Sequence, residues 1–457
     1  MNPLSLNQEV QQTVIDSPKQ PISSDLPEKH VEPQVMSSHQ MINFICDKFL
    51  ERQTINKQIS EAENELDDIP DQKSEVAKKL KSKIRELEKK DEHLEQAMKE
   101  SEEQLKSQFI EGRELPVTLS RMNLAMSDSQ IKYFKGILTS KIGLWKAFES
   151  RAKDTIEEHK ATILEQFGNG SKNSADVKFD LKVLGGDDHN NGQSPLLVTF
   201  TFPDKSPLKV VYKPRSAQTD AAILDLFAKL NSLHPDLKSH GDLPQYKIQD
   251  IDGGKGSIWE FIEGQPLHTE ASSTINKIQD QDVRIRAEEN LIRLEQICSR
   301  AGITDLHMEN VLLTRDGQWV PIDLEVVEPG HATGLLSSQA SKDPKFSPEL
   351  KQDEIMLIDK FLDQQEKRVS RYVIVATASF IQASTDPSTI EPMAQEVLET
   401  LSKNNEFKLT VDPKQFIKQF SACMEKGDVP FFTKNSDAIC FGHFAEENII
   451  AIRKPNK

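Results

Sequence analysis

The stretch Ile303-Thr304-Asp305-Leu306-His307-Met308-Glu309-Asn310-Val311-Leu312-Leu313, followed by Val320-Pro321-Ile322-Asp323-Leu324-Glu325, decides how the rest of the chain is read. Its first part sets an aspartate and an asparagine five positions apart and then enters an apolar run of strand composition. Its second part ends another short apolar run on an aspartate. Transfer of a phosphoryl group needs an acid that orients the attacking hydroxyl, an amide that helps hold a divalent cation, and a second acid that bridges cation and phosphates. Asp305, Asn310 and Asp323 are those residue types in that order. The competing reading is a polar turn between two core strands, and the motif alone does not decide between them.

Upstream, residues 276–299 carry Ile285, Leu291, Ile292, Leu294 and Ile297 at helical spacing and lead into Asp305. Before that helix come three runs of strand character. Residues 177–184 and 196–202 alternate apolar and polar, and 208–212 is short and β-branched. Between the first two, Gly185, Gly186, Asp187, Asp188, His189, Asn190, Asn191 and Gly192 make a turn rich in residues that tolerate positive φ. The third run ends on Lys213-Pro214-Arg215, and 221–233 then reads as an amphipathic helix. Strand, Gly-rich loop, strand, strand with Lys, helix is the order of a kinase N-terminal lobe, where the loop covers the phosphates and the Lys pairs with them. Kinases hold that Lys with a Glu on the helix. This helix offers only Asp220 and Asp225, so the partner of Lys213 is expected from elsewhere. Arg215 reads as an ion-pair former of secondary interest. Residues 257–262 read as a strand joining two lobes, in which Trp259 and Phe261 suit either the core or an adenine pocket. Past Glu325 a Gly- and Ser-rich segment to about Pro344 is expected to be mobile, helices are expected from Pro348 to Lys403, and the residues to Lys457 carry no clear chemistry.

The 457 residues have room for two or three domains and carry a formal net charge of -16, spread along the chain. That balance argues against nucleic acid or an anionic membrane as the main partner, since both require a basic footprint. Cys46, Cys298, Cys423 and Cys440 are far apart and form no zinc pattern, so they read as reduced thiols. No basic start with an apolar run marks a signal peptide, and no window approaches a spanning helix. A cytoplasmic location is expected; delivery into a host cell is not readable from the residues.

Residues 1–40 are rich in Gln, Ser, Pro and Glu and are expected to be a disordered tail. From 41 to 115, Ile42, Ile45, Phe49, Ile55, Ile59, Ala62 and Leu66, then Leu80, Ile84, Leu87, Leu94, Met98 and Leu105, mark two helices separated at Pro70. A helical hairpin or coiled-coil arm is expected, with Asp91 and Ser101 as polar exceptions in its seam, packing on itself or on a partner protein. Residues 116–175 continue as a helical lead-in with a wider apolar face, 176–265 form the N-terminal lobe, and 266–457 a mainly helical C-terminal lobe. The expected fold class is α+β, a two-lobed kinase-like core with a helical arm.

Three stretches together resemble the dehydratase domain of class II lanthipeptide synthetases, the LanM family, whose fold is a modified lipid-kinase-like one. They are 186–192, 211–215, and 305–310 with 322–325, which are similar to that family's GDxHxxG, YKPR, DxHxEN and IDLE elements in the same order. The resemblance covers roughly residues 120–400. It implies ATP- and Mg2+-dependent phosphorylation of Ser or Thr in a peptide or protein, followed at the same site by elimination to dehydroalanine or dehydrobutyrine. It further implies that Lys213 contacts phosphate, Asp305 orients the hydroxyl, His307 lies beside the transferred group, and Asn310 and Asp323 hold Mg2+. Gly186, Asp187 and His189 would lie on the phosphate-covering loop, and Glu325 beside the metal site. Elimination in the family also uses an R-x-x-x-R-P-T element. Here Arg371 and Thr377 match, but Val375 and Ala376 replace the second Arg and the Pro. The zinc ligands of the family's cyclase have no counterpart in Cys423 or in 440–443, so no thioether formation is expected. Two alternatives stay open: other ATP chemistry such as nucleotidyl transfer, and an inactive kinase-like scaffold that binds a partner through its arm.

Overall fold

The computed structural model describes residues 36–111, 126–168, 176–185, 192–203, 205–233, 242–266, 274–307, 310–336, 350–365, 388–426, 428, 430, 432–442 and 447–455, with the backbone alone at 370–372, 387 and 446. Within them the chain is a mixed helix and sheet protein with antiparallel sheets. Among the described residues no helix is long and apolar enough to cross a membrane.

The alternating runs fold as strands because pairing places their apolar residues on one face. They are β1 (Lys178–Val183), β2 (Leu196–Thr201) and β3 (Leu208–Lys213), joined by β4 (Ile248–Ile251) and β5 (Gly256–Glu260). The sheet order is β1-β2-β3-β5-β4, antiparallel at every pairing. Leu196, Val198, Phe200, Val210 and Ile258 from this sheet form one core with Phe148, Ala152, Ile156, Ile163 and Leu164. The latter five lie on the helix Asp128–Phe167, which becomes α3 once the preceding arm is counted. Its start is a reciprocal capping box, with Gln130 N donating to Ser127 Oγ and Ser127 N donating to Gln130 Oε1.

The arm consists of α1 (Ser38–Asp67) and α2 (Glu75–Lys106), separated by a turn that holds Pro70. Met41, Ile45, Phe49 and Ile55 of α1 and Ile84, Leu94, Met98 and Leu105 of α2 are buried. Asp91, the polar exception in the seam, receives Arg52 Nε and NH2 at 2.9 and 2.8 Å and Asn56 Nδ2 at 2.9 Å. A seam acid thus aligns the two helices through a bidentate pair. The arm is tied to α3 at its base, where Lys146 Nζ donates to Ser38 Oγ and Ile110 N donates to the Glu149 carboxylate.

A second core lies beyond the first sheet. It joins Ile223, Phe227 and Leu230 of α4 (Gln218–Leu233) to Leu291, Leu294 and Ile297 of α5 (Gln281–Ala301) and to Val311, Leu313 and Trp319. These last come from a three-stranded sheet of β6 (Gln265–Pro266), β7 (Val311–Leu313) and β8 (Trp319–Pro321), in that order. Trp319 is fully buried and held by its indole N–H to Ala287 O and its backbone N–H to Asn290 Oδ1. Ile358 and Phe361 of α6 (Gln352–Gln365) complete this core.

The C-terminal region differs from the expectation. Within the run expected to be helical, Ser370–Tyr372 is a strand, β9, and the residues beyond 403 build a second five-stranded sheet. Its other strands are β10 (Phe407–Leu409), β11 (Phe432–Lys434), β12 (Ala438–Phe441) and β13 (Ile449–Arg453), ordered β10-β13-β12-β11-β9. Its core includes Ala394 and Leu401 of α7 (Ile390–Ser402) and Phe416 and Phe420 of α8 (Pro413–Glu425). Strands this short show no periodicity, and the sheet buries Phe432 and Ile439 by joining the local β11–β12 hairpin to β9 and β13 on either side.

Candidate active site

The β7–β8 hairpin sets two of the motif residues together. Its register pairs Val311 with Pro321, so Asn310 and Ile322 leave the ladder side by side, and Ile322 N donates to Asn310 O at 2.8 Å. Asp323 follows directly. The first sheet delivers the third: β3 runs antiparallel to β5 with Lys213 opposite Ser257. From that strand end Lys213 Nζ donates to Ile322 O at 2.5 Å and to Asp323 Oδ1 at 3.3 Å. The indole ring of Trp259 lies beneath, with its centroid 4.0 Å from Lys213 Nζ and 5.4 Å from Arg215 Cζ. Its N–H donates to Ser257 Oγ, and Ser257 Oγ donates to Arg215 O, so the platform is fixed to the backbone it carries. Trp259 is therefore a buried floor under two cations, a favourable contact for a desolvated cation.

Arg215 is the hub that sequence reading left secondary. Its NH1 donates to Asp220 Oδ2 at 2.6 Å, its NH2 to Asp323 Oδ1 at 2.5 Å and to Asp220 Oδ1 at 3.3 Å, and its Nε faces Glu325 Oε2 at 3.0 Å. Asp220 sits in the first turn of α4 and is 0% exposed. Its Oδ1 also accepts from Leu324 N at 2.8 Å. The helix acid thus serves Arg215, while Lys213 takes its carboxylate from Asp323. Asp225, the other acid of that helix, is exposed and pairs with Lys229.

Charge and burial oppose one another here. Burial lowers the pKa of the Lys213 ammonium, against the upward pull of Asp323. Burial likewise pushes the Asp220 carboxyl up, against Arg215. For Arg215, burial is overcome by Asp220, Glu325 and Asp323, which hold its pKa well above the ordinary value. Tyr246, whose hydroxyl donates to Pro321 O, is pushed up by burial and keeps its proton.

Asp305 lies across from this cluster on a loop of constrained backbone. Its φ is 63°, one of the described non-glycine residues in the left-handed region. Asp tolerates that region better than most residues. Asn310 Nδ2 donates to Asp305 O at 2.8 Å and lies 3.4 Å from His307 Nε2, which in turn lies 3.5 Å from Asp305 Oδ1. The loop is fixed on both sides: Thr304 N donates to Val326 O, and Leu306 N donates to Thr333 O. Gly334, at φ 93°, lies so close that a Cβ there would sit 3.1 Å from Leu306 N and 3.3 Å from His307 N. Asp305 and His307 remain half exposed, open to an incoming group.

Of the expected site residues, Lys213, Asp323, Glu325, Asn310, Asp305 and His307 are thus gathered on the ends of β3, β7 and β8 and the loop before β7. Gly186, Asp187, His189 and Thr377 lie outside the described residues. Gly192, at the end of the same Gly-rich loop, donates its N–H to the buried Asp428 at 2.8 Å, and a Cβ there would meet Leu144 and Trp145 at 3.1 Å. Arg371 belongs to β9, opposite Thr433 of β11 in the C-terminal sheet. Sequence reasoning missed Arg215 and Asp220 as members of the cluster. The signal was an Arg two residues after the Lys and an Asp in the first turn of the next helix, a pair only the fold makes meaningful.

The residues present suit magnesium shared with phosphates. Such an ion takes oxygen ligands, one or two carboxylates among them. With Nδ2 of Asn310 committed to Asp305 O, Oδ1 is the atom of that amide able to ligate, and the Asp323 carboxylate stands at the adjoining strand end. Among the described residues no three His, Cys, Asp or Glu side chains converge as a metal cage. A magnesium ion held partly by nucleotide needs no such cage.

An α+β body with a buried lysine, a part-buried arginine and acids from a helix start, a loop and the end of β8 is what fold and site define. Residues 133–351 match a family model described as a domain of unknown function, DUF4135, a domain found in lanthipeptide synthetase-like proteins. The matched span contains Lys213, Arg215, Asp220, Asp305, Asn310, Asp323 and Glu325, and it ends before Arg371 and Thr377. A search of the curated proteins returned no match.

Proposed function

We propose that this chain transfers the γ-phosphoryl group of ATP to a Ser or Thr hydroxyl of a protein or peptide, with magnesium, on a two-lobed kinase-like body. One observation carries the reading: Lys213, Asn310 and Asp323, from three separated segments, meet at one place beside Asp305. The order and chemistry of these groups are those a phosphoryl-transfer site requires.

In this reading Lys213 holds a phosphate oxygen and Asp305 accepts a hydrogen bond from the substrate hydroxyl and takes its proton. The hydroxyl oxygen bonds to the γ-phosphorus as the bond to the β–γ bridging oxygen breaks, and ADP departs. Magnesium, when held by Asn310 and Asp323, supplies positive charge to the phosphates. His307, whose Nε2 is 3.5 Å from Asp305 Oδ1, would hydrogen-bond the transferred group in this reading. Burial keeps solvent from Lys213, which strengthens its attraction for phosphate.

The family resemblance adds elimination of the phosphate through Arg371 and Thr377. Both lie outside the matched span, so the described cluster supports phosphorylation as its own chemistry, and elimination is read from the product. The test is incubation with magnesium, a lysate, and ATP labelled in turn at the α and γ phosphates. Product with the γ label means phosphorylation; substrate short of one water per modified site means elimination has followed; the α label in product means nucleotidyl transfer. Absence of all three, with Asp323→Asn indistinguishable from the unaltered protein, sinks an enzymatic reading.

A further inference from the structure

The Arg215 guanidinium spends all three of its nitrogens on carboxylates: NH1 on Asp220, NH2 on Asp323, Nε on Glu325. These acids come from two elements, the first turn of α4 and the end of β8, and the Arg itself comes from the end of β3. With Lys213 the cluster holds two cations against three acids, so one negative charge is in excess, and a divalent cation reverses the sign. A site that turns positive on metal entry then attracts the polyanionic triphosphate.

Resting on the phosphotransfer reading, we propose that Arg215 is the positioning residue of the metal site. It holds Asp323 and Glu325 in register for the cation and transmits the position of α4 to them through Asp220. Lysine cannot fill this role, because a single ammonium lacks the planar fork that reaches three carboxylates at fixed angles. The lysine–glutamate bond of a kinase is thereby replaced by an arginine bridge that joins helix and metal-bearing strand end directly.

The test exchanges charge evenly. Arg215→Met with Asp220→Asn removes one positive and one negative charge, so the net charge of the cluster is unchanged and only the bridge is lost. The Asn side-chain oxygen can still accept from Leu324 N. Thermal unfolding is followed against magnesium concentration with a non-hydrolysable ATP analogue present, and the readout is the magnesium giving half of the full shift. The double variant is expected to need at least about tenfold more magnesium than the unaltered protein, and Arg215→Lys about threefold more. A half-saturating concentration within about twofold of the unaltered protein, in a variant whose metal-free unfolding temperature is near normal, overturns the proposal. Should the double variant fail to fold, Arg215→Lys alone keeps the charge and every acid while losing the planar fork; a rise in required magnesium of about threefold supports the bridge, and no change overturns it. An unaltered protein that shows no shift with magnesium and nucleotide removes the phosphotransfer reading and this proposal together, whereas a normal shift in both proteins removes the proposal alone.

Discussion

Replacing Arg215 by Met leaves Asp220, 0% exposed, without the guanidinium that contacts both its oxygens at 2.6 and 3.3 Å. Removing one partner of a buried pair costs about 3–5 kcal/mol, because the remaining charge is uncompensated. Asp220→Asn is milder, since its side-chain oxygen still accepts from Leu324 N and Arg215 keeps Asp323 and Glu325; about 1–2 kcal/mol is expected, the scale of one charged hydrogen bond. The double variant has no buried orphan charge and should fall well short of the sum, with a coupling energy of about 2–3 kcal/mol in a urea-unfolding cycle. The pH dependence supplies a second check. Burial already raises the Asp220 pKa above its unfolded value, and loss of Arg215 raises it further. A carboxyl with a raised folded pKa contributes its full stability below the unfolded pKa and loses it as pH rises through the folded one. The deficit of Arg215→Met should therefore grow as pH rises from the ordinary carboxylate value through the raised folded one. Single and double variants that add within about 0.5 kcal/mol, or a deficit flat in pH, would refute the reasoning.

Asp305→Asn and Asp305→Ala should both lower phosphoryl transfer about a hundredfold or more, as loss of a general base does. Only the alanine variant should also unfold more easily, by about 1 kcal/mol, since its left-handed φ suits Asn but not Ala; equal urea midpoints would contradict this. Gly334→Ala should displace the loop at Leu306 and His307, reducing turnover more than nucleotide affinity and costing about 1–3 kcal/mol of stability; an unchanged ratio of turnover to affinity would count against it. Burial raises the pKa of Glu295, whose carboxylate accepts from Thr333 Oγ1, so its stability contribution is full below the ordinary carboxylate value and is lost as pH rises through the folded one. Glu295→Gln stays neutral and can still accept that hydroxyl, so its stability relative to the unaltered protein should rise as pH climbs from the ordinary carboxylate value through the raised folded one, as thermal unfolding against pH will record.

Much of the fold was legible because its signals are local. Alternation marked β1 to β3, and threefold and fourfold spacing marked the helices of the arm, α4 and α5, each within a few residues of the observed bounds. The boundary errors are at caps: α5 starts at Gln281, after Asp280 caps it, not at Asn276. The C-terminal sheet was not legible, because strands such as β9, β10 and β11 are too short for a period to show, and β9 and β10 pair with strands far along the chain.

The residue types of the site and their order belong to the sequence itself. Asp305, Asn310 and Asp323 are spaced by two short strands and a hairpin, and Lys213 ends a third strand, so local chemistry alone places each at a strand end or loop. Which charge faces which was decided by tertiary structure. Asp220 and Glu325 are 105 positions apart. They share Arg215 because α4, β3 and the end of β8 pack around one point, and the energy of a buried charge depends on what the whole fold brings within reach of it. Spacing could name the lysine but not the acid it would use; packing chose Asp323 for Lys213 and gave the helix acid to the arginine.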